Sequence, residues 1–202
     1  SGGSRDLGPC MKYLERISSH FADHLFVVGS FAELHSSLIS DVAVQLAEVL
    51  LNQGTIFWCG NGGSAADSQH LAAELVGRFQ GNRRALRSVA LTSDTSVLTC
   101  VANDYGYEEV FSRQLEALAR KSDILIVFST SGNSENILQV LKVAKHIGVQ
   151  TIAFLGKDGG KAKTLADQVI LIPSDSTARI QEAHILIGHV ICDLIERELN
   201  IA

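Results

Sequence analysis

The sequence predicts an α/β fold in which a mainly parallel sheet is covered by helices on both faces. Three observations carry this. Five short apolar runs, at residues 55–59, 88–91, 124–128, 151–155 and 169–172, have the length of buried strands. Each leads into a polar turn rich in Gly or Ser and then into a longer segment of helical periodicity. The chain of 202 residues is also long enough to bury one good core and short for two independent domains.

Taken in order, residues 1–10 are polar and Gly-rich, precede the single methionine Met11, and read as a leader or cloning scar outside the folded unit. From Met11 to about Asn52 apolar residues recur at helical spacing, first as Leu14, Ile17, Phe21 and Leu25, then as Leu38, Val42, Leu46, Val49 and Leu50. Two amphipathic helices are expected here, broken near Gly29. Strands and helices then alternate. Residues 179–199 close the chain as one long helix with an apolar stripe and a charged end.

Hydrophobic residues make up 46% of the chain, the composition of an ordered globular protein. The net charge of −5 and pI near 5.8 argue against a nucleic-acid or anionic-membrane partner. Cys10, Cys59, Cys100 and Cys192 form no CxxC pair, and the last three lie in apolar runs, so they read as buried free thiols. No stretch approaches the ~20 apolar residues that span a bilayer, and no basic region followed by an apolar run opens the chain. A cytoplasmic location is expected.

Two strand-to-helix junctions carry chemistry. The first reads Gly60-Asn61-Gly62-Gly63-Ser64 and the second Ser129-Thr130-Ser131-Gly132-Asn133-Ser134. Such loops at the carboxyl ends of parallel strands offer backbone N–H groups and hydroxyls to an anion, with the helix dipole adding attraction. Neither fits GxxxxGK[ST] or a dinucleotide fingerprint, which disfavours ATP and NAD. Four of the six side chains in the second loop are hydroxyls, making it the better phosphate cradle. The competing reading is a pair of tight turns.

His70 and Glu74, four apart on the helix after the first loop, share one face, a spacing that suits a shared metal, a hydrogen bond or a surface ion pair. In the closing helix His189 is flanked by apolar residues and needs a polar partner. Gln181 and His189 are eight positions apart, ~12 Å along an ideal helix. An ion using both therefore needs a stretched Gln181 or a second subunit. His184 reads equally as packing or as support for the site, and His20, His24, His35 and His146 are given no role.

The strings CGNGGSAADSQHLAAEL, SVLTCVANDYGYEEVFSRQLEAL, STSGNSENI and RIQEAHILIGH, in this order, resemble the sugar isomerase (SIS) family and its phosphoheptose isomerase branch, over residues 37–198. The resemblance implies a three-layer αβα sandwich with a five-stranded parallel sheet, flavodoxin-like, preceded by N-terminal helices. It implies residues 11–36 as a helix for oligomer packing and 37–202 as the SIS domain. The implied assembly is a homotetramer with active sites at subunit interfaces. The implied activity is aldose–ketose isomerisation of sedoheptulose 7-phosphate to D-glycero-D-manno-heptose 7-phosphate, the first step of nucleotide-activated heptose synthesis.

Carried over by position, Asn61, Gly62, Gly63, Asn103, Asp104, Ser129, Thr130, Ser131 and Ser134 bind substrate, with Glu74 and Gln181. His70, Glu74, Gln181 and His189 hold one zinc ion per subunit, and Glu74 and His189 are the acid/base pair. The rival is a non-catalytic SIS module that binds a sugar phosphate or a replication-initiator partner. The relative of that kind lacks the acid and the histidine at positions 74 and 189, and this chain keeps both.

Overall fold

The five apolar runs become β1 (Ile56–Gly60), β2 (Ser88–Ala90), β3 (Ile124–Ser129), β4 (Gln150–Gly156) and β5 (Gln168–Ile172), in a computed structural model that describes Gly8 and residues 11–200. All four pairings are parallel, in the order β2-β1-β3-β4-β5. The helices are α1 (Leu14–Leu51), α2 (Gly63–Val76), α3 (Thr95–Tyr105), α4 (Ser112–Leu118), α5 (Glu135–Ile147), α6 (Ala162–Leu165) and α7 (Thr177–Glu198). The leader assigned to residues 1–10 falls, apart from Gly8, outside the described residues.

The period-two alternation of strand side chains splits the interior into two layers. Ile124, Ile126 and Phe128 of β3 pack with α1, α2 and α7 on one face, while Leu125 and Val127 pack with α3, α4, α5 and α6 on the other. Both faces are dry, which is why the strands read as unbroken apolar runs.

Two expectations need correction. The N-terminal segment is one 38-residue helix, not two broken at Gly29. Gly29 is exposed in open space within α1. A mid-helix glycine costs only about 1 kcal/mol, whereas α1 buries Leu46 and Val42 completely and each such side chain contributes roughly 1.5–3 kcal/mol. The helix also runs unbroken through residues 36–37, where the boundary between the first helix and the SIS domain is expected. By length and mean hydropathy alone α1 also qualifies as a membrane span, contrary to expectation. Its inner stripe, Phe31, Ile39, Val42, Leu46 and Leu50, belongs to the sheet-facing core, the pattern of a core helix.

Cysteine readings divide likewise. Cys59 and Cys192 are buried free thiols, and burial pushes both thiols up. Cys100 is exposed on α3, because a helix turns successive residues of an apolar run to different faces.

His184, fully buried on α7, packs between Phe128 and Phe154 with ring centroids 5.7 and 5.6 Å away. Its Nε2–H donates to the Leu155 carbonyl at 2.9 Å, tying α7 to β4. Burial pulls the imidazole down to about 4, against the opposing effect of that carbonyl. Above the ordinary value of 6.5 the ring is neutral folded and unfolded, and its contribution to stability is complete. As pH falls from there through 4, the unfolded chain takes a proton that the folded chain refuses. The expected loss is about 2 kcal/mol by pH 5 and about 3 kcal/mol below pH 4. Denaturant unfolding at pH 7 and pH 5 should show this increment in the wild type and not in His184→Met.

Candidate active site at the sheet switch point and the α2–α7 seam

In the 2-1-3-4-5 order the chain leaves β1 and β3 toward opposite edges, so a crevice opens at their carboxyl ends. Both Gly/Ser loops border it. Gly62 has φ +58 and precedes the first turn of α2, a conformation that favours glycine. Asn61, Ser64, Phe128, Ser129, Thr130, Ser134 and Gln181 line a cavity of about 60 Å³ between the loops.

The hydroxyls of the second loop divide by role. Ser129 Oγ accepts the Gly132 N–H at 3.0 Å, and Ser131 Oγ accepts that of Asn133 at 3.1 Å, shaping the turn. Among the described residues, no hydrogen bond engages the hydroxyls of Thr130 and Ser134, and Ser134 stands at the N-terminus of α5, where the dipole favours an anion.

The two loops are also tied together. Asn61 and Asn136 exchange side-chain amide hydrogen bonds of 2.8 and 2.9 Å, and the Tyr107 hydroxyl donates to Asn61 Oδ1 at 3.1 Å. Asn61 is thus a strut between loops, which leaves the backbone of its loop to face a ligand. Neither Asn136 nor Tyr107 was marked by the sequence, since no spacing rule connects residues 75 and 46 positions away from Asn61.

The second half of the site lies where α2 and α7 run side by side. Gly63 adjoins Gln181, Leu71 adjoins Gly188, and His70 with Glu74 adjoins His189. A Cβ on Gly188 would stand 2.4 Å from a methyl of the buried Leu71, so glycine sets how closely the helices approach. The approach brings His189 Nε2 to 3.2 Å from His70 Nε2 and 3.7 Å from a Glu74 oxygen. One ligand atom from each of the three lies within 4.8 Å of the others.

These spacings fit a small divalent cation. Two donors on a tetrahedral zinc with bonds of about 2.0–2.1 Å stand about 3.3 Å apart. Two imidazoles and a carboxylate are the N/O set that zinc accepts, and among the described residues no cysteine belongs to the cluster. Phe79 stacks on the His189 ring at 5.6 Å with planes 23° apart. One turn before His70, burial pushes the Asp67 carboxyl up to about 6, partly offset by attraction to His70, and Asp67 Oδ2 is buried without a hydrogen-bond partner.

The structure therefore brings His70, Glu74 and His189 together and leaves Gln181 at the loop end, where its amide lies against Gly63 and lines the cavity. The eight-residue spacing separates the two ends by ~12 Å. Asn103 and Asp104 lie exposed at the end of α3, bonded to one another at 3.0 Å, and do not line the cavity. Ser64, Asp67 and Phe79 are neighbours that sequence reasoning did not single out; Asp67 alone carried a signal, as a carboxylate three residues before His70.

Comparison with known proteins gives the family. A family model described as the SIS domain matches residues 21–156. The chain is 50% identical over 181 residues to a phosphoheptose isomerase of Helicobacter pylori, covering 90% of this chain and 94% of that one. It is 51% identical over 183 residues to a phosphoheptose isomerase of a Nitratiruptor species, covering 91% and 98%. Among solved structures, a phosphoheptose isomerase from Francisella tularensis superposes with a TM-score of 0.89 at 36% identity, covering 93% of this chain and 100% of that one. The enzyme from Neisseria gonorrhoeae superposes with a TM-score of 0.86 at 42% identity, covering 91% and 98%. With a matching family model, close relatives along nearly their whole length and the same fold, the chain belongs to the SIS-domain family and, within it, to the phosphoheptose isomerases.

Proposed function

We propose that the protein is an aldose–ketose isomerase converting sedoheptulose 7-phosphate to D-glycero-D-manno-heptose 7-phosphate, the first step toward nucleotide-activated heptose. The observation that carries this reading is the pairing of two half-sites on one helix seam: a hydroxyl-lined anion cradle at one end and a His/His/Glu cluster at the other. A non-reacting phosphate held at the first end spends its binding energy on orienting the sugar at the second.

Isomerisation removes a proton from C1 of the ketose, passes through an enediolate, and returns a proton to C2. Glu74 is the base for the C1 proton, and His189 is its acid counterpart. Thr130 and Ser134 donate to the phosphate, while Ser129 and Ser131 hold the loop in the shape that receives it. Asn61 braces this loop against the Gly62–Gly63 turn, and Gln181, Asn103 and Asp104 contact the sugar. His70, Glu74 and His189 hold zinc, which when bound polarises the sugar oxygens and stabilises the developing negative charge. Gln181 would complete this ligand set only from a second copy of the chain, since the eight-residue spacing holds it ~12 Å from His189 along its own helix.

The reading includes a cytoplasmic homotetramer with active sites at subunit interfaces. It is supported by the exposed Ile17, Phe21, Leu25, Phe26 and Leu34 on α1 and Leu186 and Val190 on α7, apolar side chains that the single chain leaves in water and a partner copy would cover.

The test is turnover of sedoheptulose 7-phosphate before chelation, after it, and after zinc is restored. Activity should fall at least tenfold on chelation and return with zinc. Full activity in the chelated protein would remove zinc from the reading, and no turnover by zinc-loaded protein would remove the substrate. In deuterated water the product should carry solvent deuterium at C2, which a direct hydride shift would not give.

A further inference from the structure

The segment 77–83 contacts neither half of the substrate in the reading above, yet it is unusually well anchored. Glu196 on α7 is 1% exposed. Its carboxylate accepts the backbone N–H groups of Phe79, Gln80 and Gly81 at 3.3, 2.9 and 3.0 Å and pairs with Arg83 Nε at 2.8 Å. The other Arg83 nitrogens donate to the carbonyls of Glu74, Leu75, Gly77 and Arg84. One buried ion pair thus joins the last turn of α2, the turn bearing Phe79, and the last turns of α7.

What this anchoring delivers is the ring of Phe79 onto the face of His189, at 5.6 Å and 23°. His189 also meets His70 in a T-shaped arrangement, with ring centroids 4.9 Å apart and planes at 69°. The torsion that turns a histidine ring is broad and only weakly quantised, so the ring plane must be set by what lies against it. Leu71 and Gly188 set how closely the two helices approach, which leaves the ring's rotation to its own neighbours.

We infer that Phe79 is a positioning residue, held by the Glu196–Arg83 pair, which fixes the imidazole plane of His189 so that Nε2 faces His70 and Glu74 before any ion or sugar arrives. The inference rests on His189 belonging to the metal centre proposed above. It goes beyond that reading by assigning the centre's preorganisation to an aromatic side chain and a buried ion pair outside the ligand set.

The variants are Phe79→Leu, which keeps bulk and removes the flat face, and Phe79→Tyr, which restores it. In metal-free protein with labelled histidine rings, nuclear Overhauser contacts between His70 and His189 should weaken or vanish in Phe79→Leu and persist in Phe79→Tyr. Zinc affinity, read by competition with a chromogenic chelator, should fall about tenfold in Phe79→Leu and less than twofold in Phe79→Tyr, the size expected of a group that orients a ligand. Thermal unfolding of each variant shows that the fold is retained. A Phe79→Leu protein with intact ring contacts and zinc affinity within twofold of wild type overturns the inference. If His70→Ala leaves zinc uptake unchanged, the metal centre itself is wrong, and the ring contacts in metal-free protein still decide whether Phe79 orients His189.

Discussion

Glu74→Gln should lower kcat for the heptose phosphate by about 10³-fold or more, leaving the fold and the affinity for inorganic phosphate nearly unchanged. The substitution is close to isosteric but removes the charge that makes the side chain a base, and general acid–base catalysis typically contributes 10²–10⁴-fold. It also replaces an anionic ligand by a neutral one at the cluster with His70 and His189, so zinc affinity should fall as well. The measurement is steady-state turnover with zinc held saturating, beside phosphate binding by calorimetry. Turnover within tenfold of wild type under those conditions would strip Glu74 of the role of base. Loss of phosphate binding would instead mean that the two ends of the seam are coupled through α2.

The second large effect is on stability. Replacing Glu196 by Ala should destabilise the protein by about 3–5 kcal/mol, because it leaves the buried Arg83 charge, and with it three part-buried backbone donors, without their acceptor. Arg83→Ala should cost a similar amount, and the double variant much less than the sum, since the second change removes a group already orphaned. Denaturant unfolding of the four proteins gives the cycle. Additive losses would show that the two side chains act separately.

The pH dependence has a definite sign. Burial pushes the Glu196 carboxyl up, but the N–H donors of Gly81, Gln80 and Phe79 and the Arg83 guanidinium outweigh it and hold it below its ordinary 4.5. Its contribution is therefore present above that pH and is lost as pH falls through the lowered value. Wild type should show this acid loss and Glu196→Ala should not. Its window opens at 4.5, below most of the span from 6.5 to about 4 in which His184 acts, and the two variants separate the contributions.

Much of the fold is legible in the residues alone, and the reasons are local. A strand dry on both faces must be apolar at every position, so β1, β3 and β4 show as runs with edges correct to within a residue or two. The loops after β1 and β3 are equally plain, because a turn that presents backbone to an anion needs Gly, Ser and Thr. His70 and Glu74 fall on one helix face by periodicity.

Other features are illegible for an equally definite reason. Gly29 carries the local signal of a break, and nothing near it in the chain tells that the stripe from Phe31 to Leu50 will be packed against the sheet and hold the helix straight through. Cys100 sits among apolar neighbours, yet its burial depends on which way α3 faces. The Asn61–Asn136 strut and the Glu196 clamp join residues 75 and 113 to 117 positions apart, and no pattern in a single chain records such a meeting.

The sequence by itself determined the parallel sheet, the two Gly/Ser loops at strand ends and the shared helix face of His70 and Glu74, because each is imposed by local periodicity or turn geometry. Only the tertiary structure decided that His189 joins His70 and Glu74 while Gln181 remains at the loop end beside Gly63, and that Phe79 lies on His189. Those outcomes depend on the register of α2 against α7, which is set by the close contact of Gly188 with Leu71 and by the buried Glu196–Arg83 pair, and register between distant elements is a property of packing in three dimensions.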